Sequence, residues 1–440
     1  MSAVAVQRQS VTHDQWQRLA RVPTSPLLAL WADAGEVCAL FGDAGAPLLV
    51  ATCVDEDGYP ALSPTHPAAV WFERLVCDLW GHVPVGGIDA RSWVDHGTWP
   101  LSRPLASRPG PPRVRETPEF SFEETLDQVS IGPVRGGIEP AVHLRLGVAG
   151  ETIARLQLRL GYTHKGTLAL VRGKSPRAAA RFAARVSAAA TVAHSLAFAQ
   201  AAEAASGCEP PQRAQALREV MLQIEAVTAT LDAMAAMAEA MGRDQLATRC
   251  AWHGEALRRA SQFAFGHRLM MDCIVPGGVA GDLAPGGDAA ILRTLADLTA
   301  ELPALRLPEN RLAGLGTVTA ELAALFSVQP GDAATRAAHR FAALSQQIAH
   351  TRDALHGAPG DGLSTPMPTA SGEAIGWVES DAGPVWHWLR LEHGQIEGAF
   401  LSDPAWLNWQ LVEAVAHGSA IEDLQVLLAS FSLSASGVDL

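Results

Sequence analysis

The stretch "ARVSAAATVAHSLAFAQAAE", residues 184–203, constrains this chain more than any other. It holds neither proline nor glycine, and alanine is the strongest helix former, so it reads as helix. Ser175-Pro176 supplies an N-cap and first-turn pair upstream, and Gly207 supplies a stop. One continuous helix is therefore expected between them, roughly 45 Å long at 1.5 Å per residue. On such a helix Ser187, Ala190 and His194 stand at i, i+3 and i+7 and share a face. That spacing would suit two metal-binding thiolates and a supporting histidine, yet neither thiol is present.

At 440 residues the chain has room for two or three domains, and its 48% hydrophobic content is ample for a core. A net charge of -13 argues against a general binder of nucleic acid or of anionic membranes. The six cysteines are Cys38, Cys53, Cys77, Cys208, Cys250 and Cys273, and no two form a CxxC pair. A cysteine-held iron–sulfur cluster or structural zinc on this chain is therefore not expected, and isolated cysteines fit a reducing compartment. The first residues have no apolar segment of signal-peptide type, and no strongly apolar run reaches membrane-spanning length. The expected location is the cytoplasm.

Residues 26–63 alternate short apolar runs with turns, the mark of strands and a hairpin. "HPAAVWFERLVCDLWG" follows with Trp71, Leu75 and Leu79 at helical spacing, so residues 1–103 are expected to form a small α/β domain. Residues 104–119 are rich in proline and arginine and read as a linker. Residues 120–440 form the second domain. It opens on a β-hairpin about "AGE", continues through helical segments at 212–241, 243–265, 287–302, 311–326 and 332–355, and closes with three strands and a last helix. The expected class is α+β: a small α/β domain, then a mainly helical bundle carrying small antiparallel sheets.

The usual catalytic signatures are absent: no GxGxxG at a strand–helix junction, no P-loop, no HExxH, no GxSxG. Three stretches instead set charged residues among turn residues, which suggests fixed polar spots beside a packed interior. They are "GPVRGGIEPAVHLRLGVAGE" (132–151), "GYTHKGTLALVRGKSP" (161–176) and "FGHRLMMDCIVPGGV" (265–279). In this order they resemble the large subunit of membrane-bound, energy-converting NiFe hydrogenases and the homologous 49-kDa-type subunit of respiratory complex I. "AVWFERLVCDLWGHVPVGGIDAR" with "DHGTWPL" is similar to the 30-kDa-type subunit of complex I, fused in front as in formate-hydrogenlyase-type subunits. The tail from "DPAWLNWQLVEAVAHG" onward looks like the end of the hydrogenase-related branch.

The resemblance has consequences residue by residue. The family's two CxxC pairs match Ser187 and Ala190 on the alanine-rich helix, and Ala405 and Asn408 after Asp403-Pro404. Serine and asparagine are poor donors for nickel or low-spin iron, which take soft thiolates, so no metal centre is expected. The glutamate that follows the family's "HRG" motif corresponds to Leu168. The tyrosine that holds a quinone headgroup in complex I falls near Ala188, and its partner histidine near Ile138, while the two tyrosines present are Tyr59 and Tyr162. The charged remnants of the old site are Arg135, Glu139, His143, His164, Lys165, His194, His267 and Arg268. His164, Lys165 and His194 are the candidate catalytic groups, expected to line a cavity and move protons. The bland alternative gives them structural roles, with Arg268 paired to an acid such as Glu139.

The implied role is an oxidoreductase subunit of a complex I-related membrane assembly, without a cofactor of its own. The partners implied are a small-subunit homologue of the complex I 20-kDa type carrying a [4Fe–4S] cluster and antiporter-like membrane subunits, with no nucleic acid. NAD enters only at the level of the family, and the attachment would be peripheral, at the inner face of the cell membrane. Two alternatives stand beside this reading: a purely structural subunit, and a quinone reductase with unfamiliar site residues.

Overall fold

In a computed structural model of the chain, residues 2–5, 8–21, 26–42, 47–115, 120, 125–134, 140–326, 328–356, 360 and 362–440 are described. Strand β1 spans Ser2–Ala5, β2 Gln9–Val11, β3 Leu27–Asp33, β4 Glu36–Phe41 and β5 Leu48–Cys53, with helix α1 at His13–Ala20. The apolar runs of β3–β5 form an antiparallel meander, and β2 adds to it in parallel, giving the order β2-β5-β4-β3. All seven residues of β3 are buried, as a strand covered on both faces requires. A short parallel pair, β6 (Tyr59–Pro60) and β7 (Pro84–Val85), brackets helix α2 (Ala69–Trp80), which ends at Gly81 in the left-handed conformation expected of a C-cap glycine.

The second part opens with a sheet of β8 (Asp127–Ile131), β9 (His143–Ala149) and β10 (Thr152–Arg159), in the order β10-β9-β8. Helices α3 (Thr167–Val171), α4 (Pro176–Ala183), α5 (Thr191–Ser206), α6 (Gln212–Ala240) and α7 (Asp244–Phe265) follow. After the short ribbon β11 (Ile274–Val275) and β12 (Gly278–Val279) come α8 (Gly287–Glu301), α9 (Ala320–Phe326) and α10 (Ala333–His356). Strands β13 (Gly372–Ser380), β14 (Gly383–Glu392) and β15 (Gln395–Ser402) precede α11 (Ala405–Val415) and α12 (Leu424–Ser430). The expected helix over 311–326 shrinks to α9, because Gly314 and Gly316 adopt positive φ in the turns before it. Among the described residues α6 alone is a single helix long and apolar enough to span a membrane; 61% of its apolar window is buried in the bundle, as in a core helix.

The continuous helix expected over 175–207 is broken. α4 and α5 meet at 118°, joined by a turn and a short 3-10 segment, Ala188–Ala190. Ser187 and Ala190 therefore sit in the joint rather than on one helical face with His194. Tertiary partners replace the helical bonds that a straight helix would make here. The Glu225 carboxylate accepts from Val192 N (2.6 Å) and Ala193 N (2.8 Å), capping α5, and Lys165 Nζ donates to Val186 O (2.6 Å). α5 is buried all round, and β13 packs against its backbone. A Cβ at Gly376 would stand 2.1 Å from the Ala197 carbonyl oxygen, and one at Gly372 would stand 2.2 Å from that of Ala205.

The two parts of the chain share a core. β1 pairs antiparallel with β13, extending the C-terminal sheet to β1-β13-β14-β15. Asp33 of β3 takes Arg8 (3.0 Å) and Arg390 of β14 (2.9 Å), and Arg8 also reaches Glu373 of β13 (2.9 Å). Trp31 stacks on Phe400 of β15 at 5.3 Å, and Phe72 of α2 on Trp406 of α11 at 5.0 Å. The first described part of the linker is tied to α2: Leu105 is buried and its N–H donates to Leu79 O, and Arg113 pairs with the buried Asp78 at 2.9 Å. Residues 116–119 lie outside the described residues.

Candidate functional site

Asp403 lies between β15 and α11, and this junction holds a well-connected buried carboxylate near the helix joint. Its Oδ1 accepts from Ala405 N (2.8 Å), and its Oδ2 lies 2.9 Å from His194 Nε2. His194 Nδ1 is in turn 2.8 Å from Nε2 of His387, on β14. A carboxylate only accepts, so His194 donates its Nε2–H to Asp403, and one proton lies between His194 Nδ1 and His387 Nε2. Among the described residues no partner reaches His387 Nδ1. Burial first, and His194 beside it second, hold the His387 pKa well below its usual range. The row His387–His194–Asp403 thus delivers a carboxylate, oriented by an imidazole pair, to the edge of a cavity.

That cavity has a volume of about 840 Å³, within the usual range for small-molecule sites. The joint contributes Ser187 and Ala188–Ala190, α6 contributes Ala229, Asp232, Ala233 and Ala236, and the opposite wall is Asp381, Asp403-Pro404, Trp409 and Ser432–Ser436. Its polar walls are already bonded. Ser187 Oγ donates to Ser434 Oγ (3.2 Å), Ser432 Oγ donates to Asp381 Oδ2 (2.9 Å), and Asp381 pairs with Arg340 (3.0 Å). The Asp403-Pro404 turn also walls a second cavity, of about 360 Å³, which Asn408 lines while donating to Ala382 O (2.9 Å). Of the four positions matched to metal ligands, Ser187 and Ala190 face the first cavity, Asn408 faces the second, and Ala405 is buried at the start of α11. Among the described residues no cysteine lines either cavity. A hydroxyl, an amide and two methyl groups do not make a donor set for nickel or low-spin iron.

The other candidates are dispersed. Lys165 Nζ donates to Val186 O, to Ser436 O (2.7 Å) and to Ser436 Oγ (3.0 Å), and its backbone N–H donates to Asp439 O, so it ties the tail to the helix joint behind the cavity wall. Burial lowers its pKa, with Asp439 and Asp403 pulling the other way, and burial pushes the Asp439 carboxyl up to about 6. His164, one residue away, points elsewhere: its ring packs on Trp99 at 4.9 Å. His143 bonds Ser130 Oγ (2.9 Å) on the β8–β10 sheet, and His267 Nδ1 accepts from Leu269 N and Met271 N in a turn. Arg268 pairs with Glu255 at 2.7 Å. Arg135, Ile138 and Glu139 lie outside the described residues. Leu168 is buried, and Ala188 lines the larger cavity. His164, Lys165 and His194 therefore do not form one cluster; His194 alone joins the Asp403 row.

Asp403, His387 and Glu225 are the groups that sequence reading passed over. The signal for His387 lay in "VWHWLRLE", where an imidazole interrupts a run of large apolar residues on a buried strand. Glu225 had one too, as a carboxylate amid the apolar positions of α6. Burial drives its pKa up to about 8 against the pull of the two N–H groups it accepts.

Residues 165–231 match the nickel-dependent hydrogenase family. The chain is 27% identical over 425 residues to "Hydrogenase-4 component G" of Escherichia coli (strain K12), covering 87% of this chain and 76% of that protein. It is 36% identical over 179 residues to "Formate hydrogenlyase subunit 5" of the same organism, covering 38% of this chain and 32% of that one. The "NADH-ubiquinone oxidoreductase 49 kDa subunit" of Reclinomonas americana is 27% identical over 203 residues, covering 44% and 50%. In fold, a chain of the membrane-bound sulfane sulfur reductase, an archaeal respiratory membrane complex, superposes with a TM-score of 0.67 at 18% identity, over 73% of this chain and all of that one. The chain thus carries a stretch that matches the nickel-dependent hydrogenase family and is homologous to hydrogenase-4 component G, formate hydrogenlyase subunit 5 and the 49 kDa subunits of complex I.

Proposed function

We propose that this chain is the large-subunit-like component of a membrane oxidoreductase assembly and works without a NiFe centre. In this reading a small-subunit homologue brings electrons through its [4Fe–4S] cluster, antiporter-like subunits anchor the assembly to the inner face of the membrane, and the emptied metal position serves either an unidentified acceptor or the coupling of electron flow to ion transport. The observation that carries it is the joining of two features at one place. The positions matched to thiolates bear no thiol, yet an 840 Å³ cavity lies against two of them, Ser187 and Ala190, with Asp403, backed by His194 and His387, at its edge. A carboxylate so placed can take up a proton at Oδ2 while His194 holds its orientation.

Two measurements test this. Elemental analysis of the assembled complex is expected to find iron from the partner's cluster and no nickel; about one nickel per chain would overturn the metal-free reading. Asp403→Asn keeps the shape of the wall and removes the proton acceptor. Turnover per folded complex should fall by about 10²-fold or more, the usual weight of a positioned acid or base. Unchanged turnover would favour the second reading, a scaffold subunit without chemistry. That reading has its own support: every buried polar side-chain atom among the cavity's described lining residues already has a partner within the chain.

A further inference from the structure

The cysteines differ in their access to solvent. Cys38, Cys208 and Cys250 are buried, Cys77 and Cys273 are half-buried, and Cys53 alone is exposed, at the end of β5. Burial raises the pKa of the other five thiols, to about 11 for Cys250 and Cys273, and so keeps them protonated at neutral pH.

Cys53 also has close company. His13, the first residue of α1, sets its Nε2 2.9 Å from the Cys53 carbonyl oxygen and 4.0 Å from Cys53 Sγ. A carbonyl oxygen only accepts, so Nε2 carries a hydrogen, and the sulfur shares it. The other ring nitrogen, Nδ1, faces Asp55 Oδ2 at 3.6 Å. Two elements hold this arrangement in place. The capping box of Thr12 and Gln15 fixes the start of α1, and β2 pairs with β5 as far as Val11 and Thr52, the residues just before the site. Glu36, opposite Cys53 in the β4–β5 register, is itself met by Arg8 at 2.9 Å. An N–H within reach of sulfur is a donor to the thiolate, the nucleophilic form of the side chain.

We infer that Cys53 is a thiol-exchange site, which takes up a small amine-bearing disulfide as a mixed disulfide with His13 as the donor to its sulfur. The Cys53 thiolate attacks one sulfur of R–S–S–R, the S–S bond of the reagent breaks, and RS⁻ departs and takes up the proton that Cys53 released. Cys53 is thereby oxidised and one half of the reagent reduced to a thiol, so no further oxidant enters. The charge of the reagent follows from the turn after β5, where Asp55, Glu56 and Asp57 are all exposed. Those carboxylates attract an ammonium group and repel an anionic disulfide. Neither Cys53 nor His13 lines the larger cavity, and the site does not depend on the function proposed there.

Stopped-flow reaction of the full chain with cystamine and with oxidised glutathione at neutral pH tests the assignment. Each rate is divided by that of N-acetylcysteinamide with the same reagent, and the label is located by peptide mapping. One mixed disulfide per chain is expected, on Cys53. The cystamine ratio should exceed the glutathione ratio at least about five-fold at low salt, and the gap should close as salt is added. His13→Gln should slow cystamine uptake about ten-fold, as loss of a cationic donor beside the sulfur predicts. His13→Lys, which returns a charged donor, should recover most of that rate. Cys53→Ser should take up no label and melt at the parent's temperature, as expected of an exposed side chain. A first label on Cys77 or Cys273 would overturn the site, as would His13→Gln reacting as fast as the parent. Equal ratios for the two disulfides would overturn the selection for an amine.

Discussion

At the scale of the residue, His164 shows how little adjacency in sequence says about adjacency in space. "HKG" was readable as a polar turn beside the helix, and the turn is there. The direction of each side chain was not readable, because it is set by partners far along the chain: Ser436 and Asp439 for Lys165, Trp99 for His164. His164 is buried with Nδ1 unpartnered, and burial, reinforced by Lys165, brings its pKa to about 4 from the ordinary 6.5. The folded state therefore prefers the neutral ring. As pH falls below 6.5 the unfolded chain takes up a proton that the folded chain refuses, so stability is lost between pH 6.5 and about 4. His164→Phe keeps the contact with Trp99 and removes the orphaned nitrogen. Its melting temperature should match or exceed the parent's at pH 7, and it should lose less on acidification to pH 5. Turnover of the assembled complex should not change; a drop in turnover at unaltered stability would return His164 to the chemistry.

At the scale of the element, capping and periodicity placed α6, α7, α8 and α10 within a residue or two, because each carries its own apolar stripe and its own stops. α5 was readable as helix but not in its start. Nothing local interrupts an alanine run, and the break at 184–190 is made by Glu225 and Lys165 from other elements. The far end of α5 is held in the same way. Glu203 and Arg218 of α6 form a buried pair, Glu203 also accepts from Gly277 N (2.7 Å), and Arg218 donates to Val275 O (2.8 Å) and Gly278 O (3.0 Å). Arg218→Met would strand a buried carboxylate and two carbonyls. The expected cost is about 3–5 kcal/mol of stability, readable in denaturant unfolding. The double variant Arg218→Met with Glu203→Met should recover much of it; a single variant within 1 kcal/mol of the parent, roughly the worth of an exposed pair, would show that the pair is not a tie.

At the scale of the molecule, the α+β class was legible because strand-like and helix-like patterns fall in separate blocks. The return of the N-terminus was not. β1 lies in one sheet with β13, more than 360 residues away, and no local pattern announces a pairing of that kind. The Arg8–Asp33–Arg390 junction and the Trp31–Phe400 and Phe72–Trp406 stacks bind residues 1–103 to the rest. Unfolding should therefore be one cooperative event, with heat absorption and tryptophan emission changing together. Two resolved transitions would mean that the parts are independent. In limited proteolysis, residues 102–113 should resist, since Leu105 and Arg113 are anchored on α2.

The seating of β13 on α5 has a consequence for descent. Gly372 and Gly376 let strand and helix touch through their backbones, so this part of the frame around the cavity is fixed by contacts that involve none of Ser187, Ala190, Ala405 and Asn408. A lineage built this way can exchange the reactive groups at its centre over many generations while its outline stays recognisable, and shape then outlasts chemistry as the trait that is inherited.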